Sequence, residues 1–206
     1  KDNTIFLQFL PMSYMAGFLN SVLCILLANG KIVINKEFNF KFLINFPKLI
    51  EKFKINTIWL TPSNLLLINE LYSGIKNKLK ILGSLKKIFV GTSPLLNKDK
   101  ILFEKNFQKK LLNSYGLSEI LFVSCSRNAK DKGVGKILNN QKIKINKKNE
   151  ILVKNNTFFK FYYNNNKKYL PKLSNKFYNT GDLGYFDQNN NLFVTGRSKD
   201  IIIKAG

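Results

Sequence analysis

Strand-like and helix-like runs alternate along the first 127 residues, and that alternation limits the possible folds more than any other feature of the chain. Thr4–Leu10 reads as a buried strand ending at Pro11, and Lys31–Asn35, Asn56–Leu60, Lys87–Gly91 and Lys110–Asn113 read as further strands. Met15–Ala28 reads as a helix that is apolar nearly all round and is stopped by Asn29-Gly30. Phe40–Phe53 carries Phe42, Leu43, Phe46, Leu49, Ile50 and Phe53 at helical spacing. Thr61-Pro62-Ser63 heads a helix running to Leu71, since proline is pre-set for a first helical turn, and Asn97–Gln108 reads as another. Strands alternating with helices build an α/β fold, a mostly parallel sheet with helices on both faces.

The alternation stops near Arg127. Short strand-like runs follow at Val134–Leu138, Lys142–Ile145, Glu150–Val153 and Phe158–Tyr163, with Asn/Lys turns between them. Such spacing points to a small β-barrel-like subdomain. Residues 1–127 are therefore expected to form an α/β subdomain and residues 134–197 the barrel-like one, with the boundary near Asn128–Gly133.

Composition removes several classes of function. The chain has no His and only two Cys, Cys24 and Cys125, so a zinc site lacks ligands and a His-based triad is excluded. Two cysteines make no disulfide framework, and a reducing cytoplasm is the expected setting. The net charge is +22, but of 34 basic residues only Arg127 and Arg197 are arginines, and the lysines are spread among Asn, Ile and Phe. Base-reading proteins lean on arginine, so the charge reads as compositional bias and no nucleic-acid partner is expected. The most apolar run, Tyr14–Ala28, falls short of the roughly 18–20 residues of a spanning helix and is interrupted by Asn20 and Ser21, so no transmembrane segment is expected.

Two stretches carry chemistry. In the first, Tyr185-Phe186 and Leu192-Phe193-Val194 flank Asp187-Gln188-Asn189-Asn190-Asn191, a turn rich in residues that tolerate left-handed backbone. The resulting hairpin holds Asp182, of Thr180-Gly181-Asp182, near Arg197, of Gly196-Arg197-Ser198-Lys199-Asp200. An acceptor beside a planar five-donor cation suits a sugar diol next to a phosphate. The second stretch is Asn113-Ser114-Tyr115-Gly116-Leu117-Ser118-Glu119, following a strand that ends at Asn113. Tyr115 offers a face for a purine, and Gly116 allows close backbone approach. Ser118 can donate to a phosphate oxygen, and Glu119 can hold a hard cation such as Mg²⁺. Read alone, the second stretch equally fits an ordinary strand and loop.

Taken in order, these motifs resemble the adenylate-forming superfamily of acyl- and aryl-CoA synthetases, luciferases and peptide-synthetase adenylation domains. The resemblance implies ATP/AMP as the nucleotide. It places Asn113, Ser114, Tyr115, Gly116, Asp182 and Arg197 against it, with Tyr115 on adenine and Asp182 on the ribose. Ser118, Glu119 and Arg197 would be the catalytic residues, with Mg²⁺ on Glu119. Val90-Gly91-Thr92-Ser93-Pro94-Leu95 resembles the family's Gly-Gly-x-Pro-Leu loop along adenine and acyl group, with Thr92 in place of the second Gly. Leu10-Pro11-Met12-Ser13-Tyr14-Met15-Ala16-Gly17 resembles its Pro-x-x-His-x-x-Gly segment, with Tyr14 where His is usual. Tyr14, Gly17, Gly91 and Gly116 would then line the acid. Gly133-Val134-Gly135-Lys136 resembles the short Gly-x-Gly entry to the barrel, lacking its Pro. Lys199 stands where the family has its hinge, so residues 198–206 would be that hinge and the start of a further domain. The phosphate loop would precede Lys1, and the catalytic Lys would follow Gly206.

The implied reaction joins a small carboxylic acid to AMP and then to a thiol, CoA or phosphopantetheine on an acyl or peptidyl carrier protein. No acidic residue stands between Asp2 and Glu37, where amino-acid-activating relatives place an Asp for the substrate's ammonium, and Leu117 replaces their usual Pro. An unpaired buried ammonium is costly, so a fatty or aryl acid is expected. The alternatives are a split or degenerate homologue that binds nucleotide without turnover, and a stand-alone amino-acid adenylation domain.

Overall fold

The computed structural model describes residues 3–35, 38–76, 78–128, 130–171 and 173–200. The chain divides into two compact units, Lys1–Asn113 and Ser114–Gly206.

In the first unit, β1 (Ile5–Gln8) leads through a helical segment to β2 (Lys31–Ile34). That segment is a π-helix over Ala16–Leu23 followed by α1 (Cys24–Leu27). There follow α2 (Phe40–Lys52), β3 (Thr57–Leu60), α3 (Pro62–Tyr72), α4 (Lys78–Ile81), β4 (Lys87–Val90), α5 (Asn97–Phe107) and β5 (Leu111–Leu117). The strands lie in the order β2-β1-β3-β4-β5. Within this unit all pair in parallel, with Phe6 opposite Ile32 and Thr57, Ile88 opposite Ile58 and Leu111, and Val90 opposite Asn113. Parallel pairing aligns every carboxyl end on one edge, and the order reverses between β1 and β3, which is where doubly wound sheets take ligands.

The helices form for reasons visible in their first turns. Asn39 caps α2 by accepting from the Phe42 amide at 2.8 Å. Thr61 and Asn64 bond each other's backbone amides at the start of α3, with Pro62 at the first position. Their apolar faces bury Phe42, Phe46 and Ile50, and Leu65 and Ile68, and α5 adds Phe103 and Phe107. With Phe6, Leu7, Ile58, Leu60, Ile88 and Val90 from the strands, these residues make the core.

The Met15–Ala28 segment differs from the plain α-helix its composition suggests. Gly17 presses so close to the chain that a Cβ there would lie 1.8 Å from the Pro11 carbonyl oxygen. The buried Gln8 amide ties this corner, donating to the carbonyls of Leu10 at 2.8 Å and Gly17 at 3.0 Å. The Ser21 hydroxyl takes the Ala16 carbonyl at 2.7 Å, five residues back, in step with the wider π turn.

The second unit is antiparallel. The later half of β5 pairs with β6 (Leu121–Cys125), which pairs with β7 (Lys136–Ile137). β8 (Lys142–Ile145) pairs with β9 (Glu150–Lys154), and β10 (Tyr162–Asn164) with β11 (Lys167–Tyr169). β12 (Leu173–Ser174), β13 (Phe177–Phe186) and β14 (Leu192–Arg197) complete a curled sheet in which β13 contacts β9, β12 and β14. Ile120, Val123, Ile151, Val153 and Leu192 are its core, flanked by Tyr115, Val134, Phe158 and Tyr178. The whole is an α/β fold with a mostly parallel sheet, followed by a curled antiparallel half-barrel.

Two expectations differ in detail. The strand expected to stop at Asn113 runs on to Leu117, because Leu121–Cys125 supplies an antiparallel partner. Of Phe158–Tyr163 only the last two residues pair. Residues 201–206, the expected start of a further domain, lie outside the described residues.

Candidate functional site

Hairpin β13–β14 places Asp182 directly opposite Arg197, two pairs before a bulge at Leu183/Gly184 and four before the Phe186–Leu192 pair that closes it. The ring of Tyr185 stacks on Phe193 at 5.0 Å and 6° on one face. The turn is set by Asp187, whose carboxylate accepts the amides of Asn189 and Asn191 at 2.9 and 2.8 Å and the Asn191 side chain at 2.8 Å. Those bonds, the Asn191 side chain first, hold its pKa below the usual carboxylate value. The turn thus fixes the register, and the register fixes the pair at the open end.

Asp182 is the buried centre of this site, only 4% exposed. Arg197 Nε donates to its Oδ1 at 3.1 Å, and the Tyr115 hydroxyl donates to its Oδ2 at 2.7 Å. Its own amide donates to Thr180 Oγ1 at 3.1 Å, and that hydroxyl donates to the Ile151 carbonyl at 2.9 Å. The Ser198 hydroxyl donates to the Gly181 carbonyl at 3.1 Å, tying the end of β14 back to the same motif. Burial, then the Asp182 charge, pushes the Tyr115 pKa well above its ordinary value, so the phenol stays a donor. A carboxylate has about four acceptor positions; with two used here, Asp182 retains capacity for a pair of hydroxyl donors.

Tyr115 lies in β5, and Glu119 stands in the turn that joins β5 to β6. The strand bulges between Tyr115 and Gly116, where a Cβ on Gly116 would sit 2.4 Å from the Leu121 carbonyl oxygen. Ser118 is exposed in the turn. Glu119 accepts from the Tyr162 hydroxyl at 3.2 Å through Oε1, and Tyr162 meets the Tyr178 hydroxyl at 3.0 Å. Among the described residues no three His, Cys, Asp or Glu side chains gather as a metal cage. One carboxylate suits Mg²⁺ that arrives on nucleotide phosphates and keeps its waters, and does not suit a resident structural ion.

Of the remaining candidates, Tyr14, Gly17, the Gly91–Pro94 loop and Asn113 belong to the first unit, and Ser114 and Lys199 to the second. Gly91 follows β4 and donates to the Leu60 carbonyl at 3.3 Å, with Thr92, Ser93 and Pro94 exposed after it. Thr92 holds φ +82°, a left-handed conformation that a β-branched residue rarely takes. Tyr14 follows β1 at the entry to the π-helix, its carbonyl accepting from the Phe18 amide at 3.1 Å, and Gly17 lies in the first turn. Partial burial raises the Tyr14 pKa. Asn113 is buried opposite Val90, and Ser114 opposite Cys125. Lys199 is exposed in the short 3₁₀ turn after β14. Sequence reasoning missed Tyr162 as the partner of Glu119 and Tyr178 as the partner of Tyr162. Both sit in aromatic-rich runs that look like ordinary strand filling, and only the fold brings Tyr162 to the carboxylate and Tyr178 to Tyr162.

The family model described as AMP-binding enzyme matches residues 1–163. The chain belongs to that AMP-binding family. Among its curated relatives, a probable 4-coumarate–CoA ligase 2 of Dictyostelium discoideum is 29% identical over 98% of this chain and 38% of that protein. A 4-coumarate–CoA ligase-like protein 6 of Arabidopsis thaliana is 25% identical over 100% of this chain and 38% of that one. The chain thus spans well under half the length of these relatives. The fold recurs in ATP-bound MatB of Rhodopseudomonas palustris, with TM-score 0.82 at 19% identity over 98% of this chain and 41% of that one. It recurs also in the O-succinylbenzoate–CoA synthetase of Bacillus subtilis in complex with AMP, with TM-score 0.78 at 22% identity over 98% and 43%.

Proposed function

We propose that the whole protein activates a small carboxylic acid with ATP to an acyl-adenylate and then passes the acyl group to a thiol, CoA or a pantetheine carrier. The observation that carries this reading is Asp182, buried yet held by one donor on each oxygen, with a guanidinium on one side and a phenol on the other. Asp182 accepts from the ribose hydroxyls, Arg197 reaches ribose and phosphate, the Tyr115 ring stacks on adenine, and Asn113, Ser114 and Gly116 are further nucleotide-binding residues. Ser118 donates toward the α-phosphate. Glu119 holds Mg²⁺, which neutralises phosphate charge when bound. The loop Gly91–Pro94 runs beside adenine and acyl group, Tyr14 and Gly17 border the acid, and Lys199 is the pivot between domains.

Displacement at phosphorus asks the protein mainly for position and charge neutralisation. The attacking carboxylate is already ionised at neutral pH, so no base is needed. The acid is fatty or aryl. Supporting this, residues 3–36 contain no carboxylate to pair an ammonium, and curated relatives are named as coumarate–CoA ligases and an acyl-CoA synthetase of Caenorhabditis elegans. Both cysteines are free thiols, which suits the cytoplasm.

The test is ATP–pyrophosphate exchange by the full-length protein across fatty, aryl and amino acids. Exchange with fatty or aryl acids alone is the expected result. Exchange with amino acids alone overturns the substrate reading. Silence in a folded protein that binds AMP favours the second reading, a nucleotide-binding homologue without turnover, to which Tyr14 and the left-handed Thr92 lend support.

A further inference from the structure

Glu119 stands in a turn, where a glutamate on its own samples many rotamers, and fixing one carries an entropic cost. The second unit surrounds it with an unusual set of partners. The Phe159 amide donates to the Glu119 carbonyl at 2.9 Å. The Asn155 side chain and the Thr157 hydroxyl donate to the next carbonyl, Ile120, at 2.8 and 3.2 Å. Residues 155–162 therefore grip the backbone of the turn and deliver Tyr162 to its side chain.

Donor counting sets the direction of the bonds. An ionised carboxylate only accepts, so the single hydroxyl proton of Tyr162 goes to Glu119 Oε1, at 3.2 Å. The 3.0 Å contact between the Tyr162 and Tyr178 hydroxyls must then use the proton of Tyr178. Both rings are themselves packed: Phe159 lies edge-on to Tyr162 at 4.4 Å, and Phe158 contacts Tyr178 at 5.2 Å. Tyr178 is on β13, four residues before Asp182. Among the described residues Glu119 Oε2 takes no bond.

We propose that Tyr162, backed by Tyr178, is a positioning residue that holds Glu119 Oε1 and leaves Oε2 directed at the metal–nucleotide. This rests on the reading of Glu119 as the Mg²⁺ carboxylate. Mg²⁺ demands near-ideal octahedral geometry, so a ligand with a fixed carboxylate plane binds it better than a mobile one. Partners that orient a metal ligand typically change affinity 10–100-fold when removed.

The experiment uses the full-length protein and measures ATP binding by calorimetry across a Mg²⁺ titration, with metal-free AMP binding beside it. Tyr162→Phe is expected to raise the Mg²⁺ concentration for half-maximal ATP binding by roughly 10-fold, leaving AMP affinity unchanged. Tyr163→Phe, which loses only a bond to Asn166 on the exposed hairpin, is expected to change neither. An unaltered Mg²⁺ requirement in Tyr162→Phe, with a shifted one in Glu119→Gln, overturns the positioning role alone. If Glu119→Gln shifts nothing, the metal reading of Glu119 fails, and the proposal with it. A parallel loss of AMP affinity in Tyr162→Phe also overturns it, because the effect is then on the fold.

Discussion

Asp182 and Arg197 face each other across β13 and β14, with Arg197 Nε 3.1 Å from Asp182 Oδ1, although fifteen residues separate them in the chain. The hairpin makes them neighbours, and the burial of Asp182 makes the pair consequential: a carboxylate out of water needs its donors, and here they are Arg197 and Tyr115.

Asp182→Ala is expected to weaken ATP binding by about 1.5–3 kcal/mol, the usual worth of hydrogen bonds to a charged group. Calorimetry on the folded variant checks this, and an unchanged affinity rules Asp182 out of the ribose contact.

Thr92 carries φ +82° at an exposed position after β4. A non-glycine residue in that region stores about 1–3 kcal/mol, and glycine removes the strain while adding about 0.5–1 kcal/mol of unfolded-chain entropy. Thr92→Gly is therefore expected to stabilise the protein by roughly 1 kcal/mol. A denaturation midpoint that does not rise shows that the loop relieves its strain by other means.

Gly116 lies at the β5–β6 bulge with the Leu121 carbonyl oxygen where its Cβ would be, at 2.4 Å. Gly116→Ala is expected to destabilise the protein by about 1–3 kcal/mol, since backbone on both sides must move. Because Tyr115 adjoins the bulge, ATP affinity falls as well. Normal stability with normal affinity refutes the close packing of the two strands.

The Cys125 thiol is pushed up to about 11, chiefly by burial, with the Asp131 charge adding and Arg127 opposing. Thiolate is the reactive form. Alkylation of native Cys125 at pH 8 is expected to be far slower than in the unfolded chain and to climb about tenfold per pH unit toward 11. The sign for stability follows. Between the ordinary thiol value near 9 and about 11, the unfolded chain releases this proton first, so stability is full below 9 and falls as pH rises through that window. Cys125→Ala lacks that contribution to the loss. Alkylation that levels off near pH 9 contradicts the burial.

Much of the architecture is legible in local patterning. Phe42, Phe46 and Ile50 recur at helical spacing and are buried, and Thr61-Pro62 begins α3 as its chemistry dictates. Asp187–Asn191 announces a hairpin because Asp and Asn bond their own backbone, and a hairpin with known strands already implies that Asp182 meets Arg197. These are short-range matters: helical period, caps and turns depend on residues a few positions apart.

What the chain could not show by itself depends on distant contacts. Leu121–Cys125 became a strand because the later half of β5 offers it a partner, and Tyr115 reached Asp182 across 67 residues. The Met15–Ala28 helix widened to a π turn because Gly17 is pressed on Pro11 and Gln8 pins the corner, which no apolar count reveals. Tyr162 and Tyr178 look like strand aromatics until the fold sets Tyr162 on Glu119 and Tyr178 on Tyr162. Composition and periodicity decide which segments are buried and how each one coils. Which side chains then meet is decided by strand pairing and close packing, where a hydrogen bond's worth depends on removing water from groups that are remote in sequence.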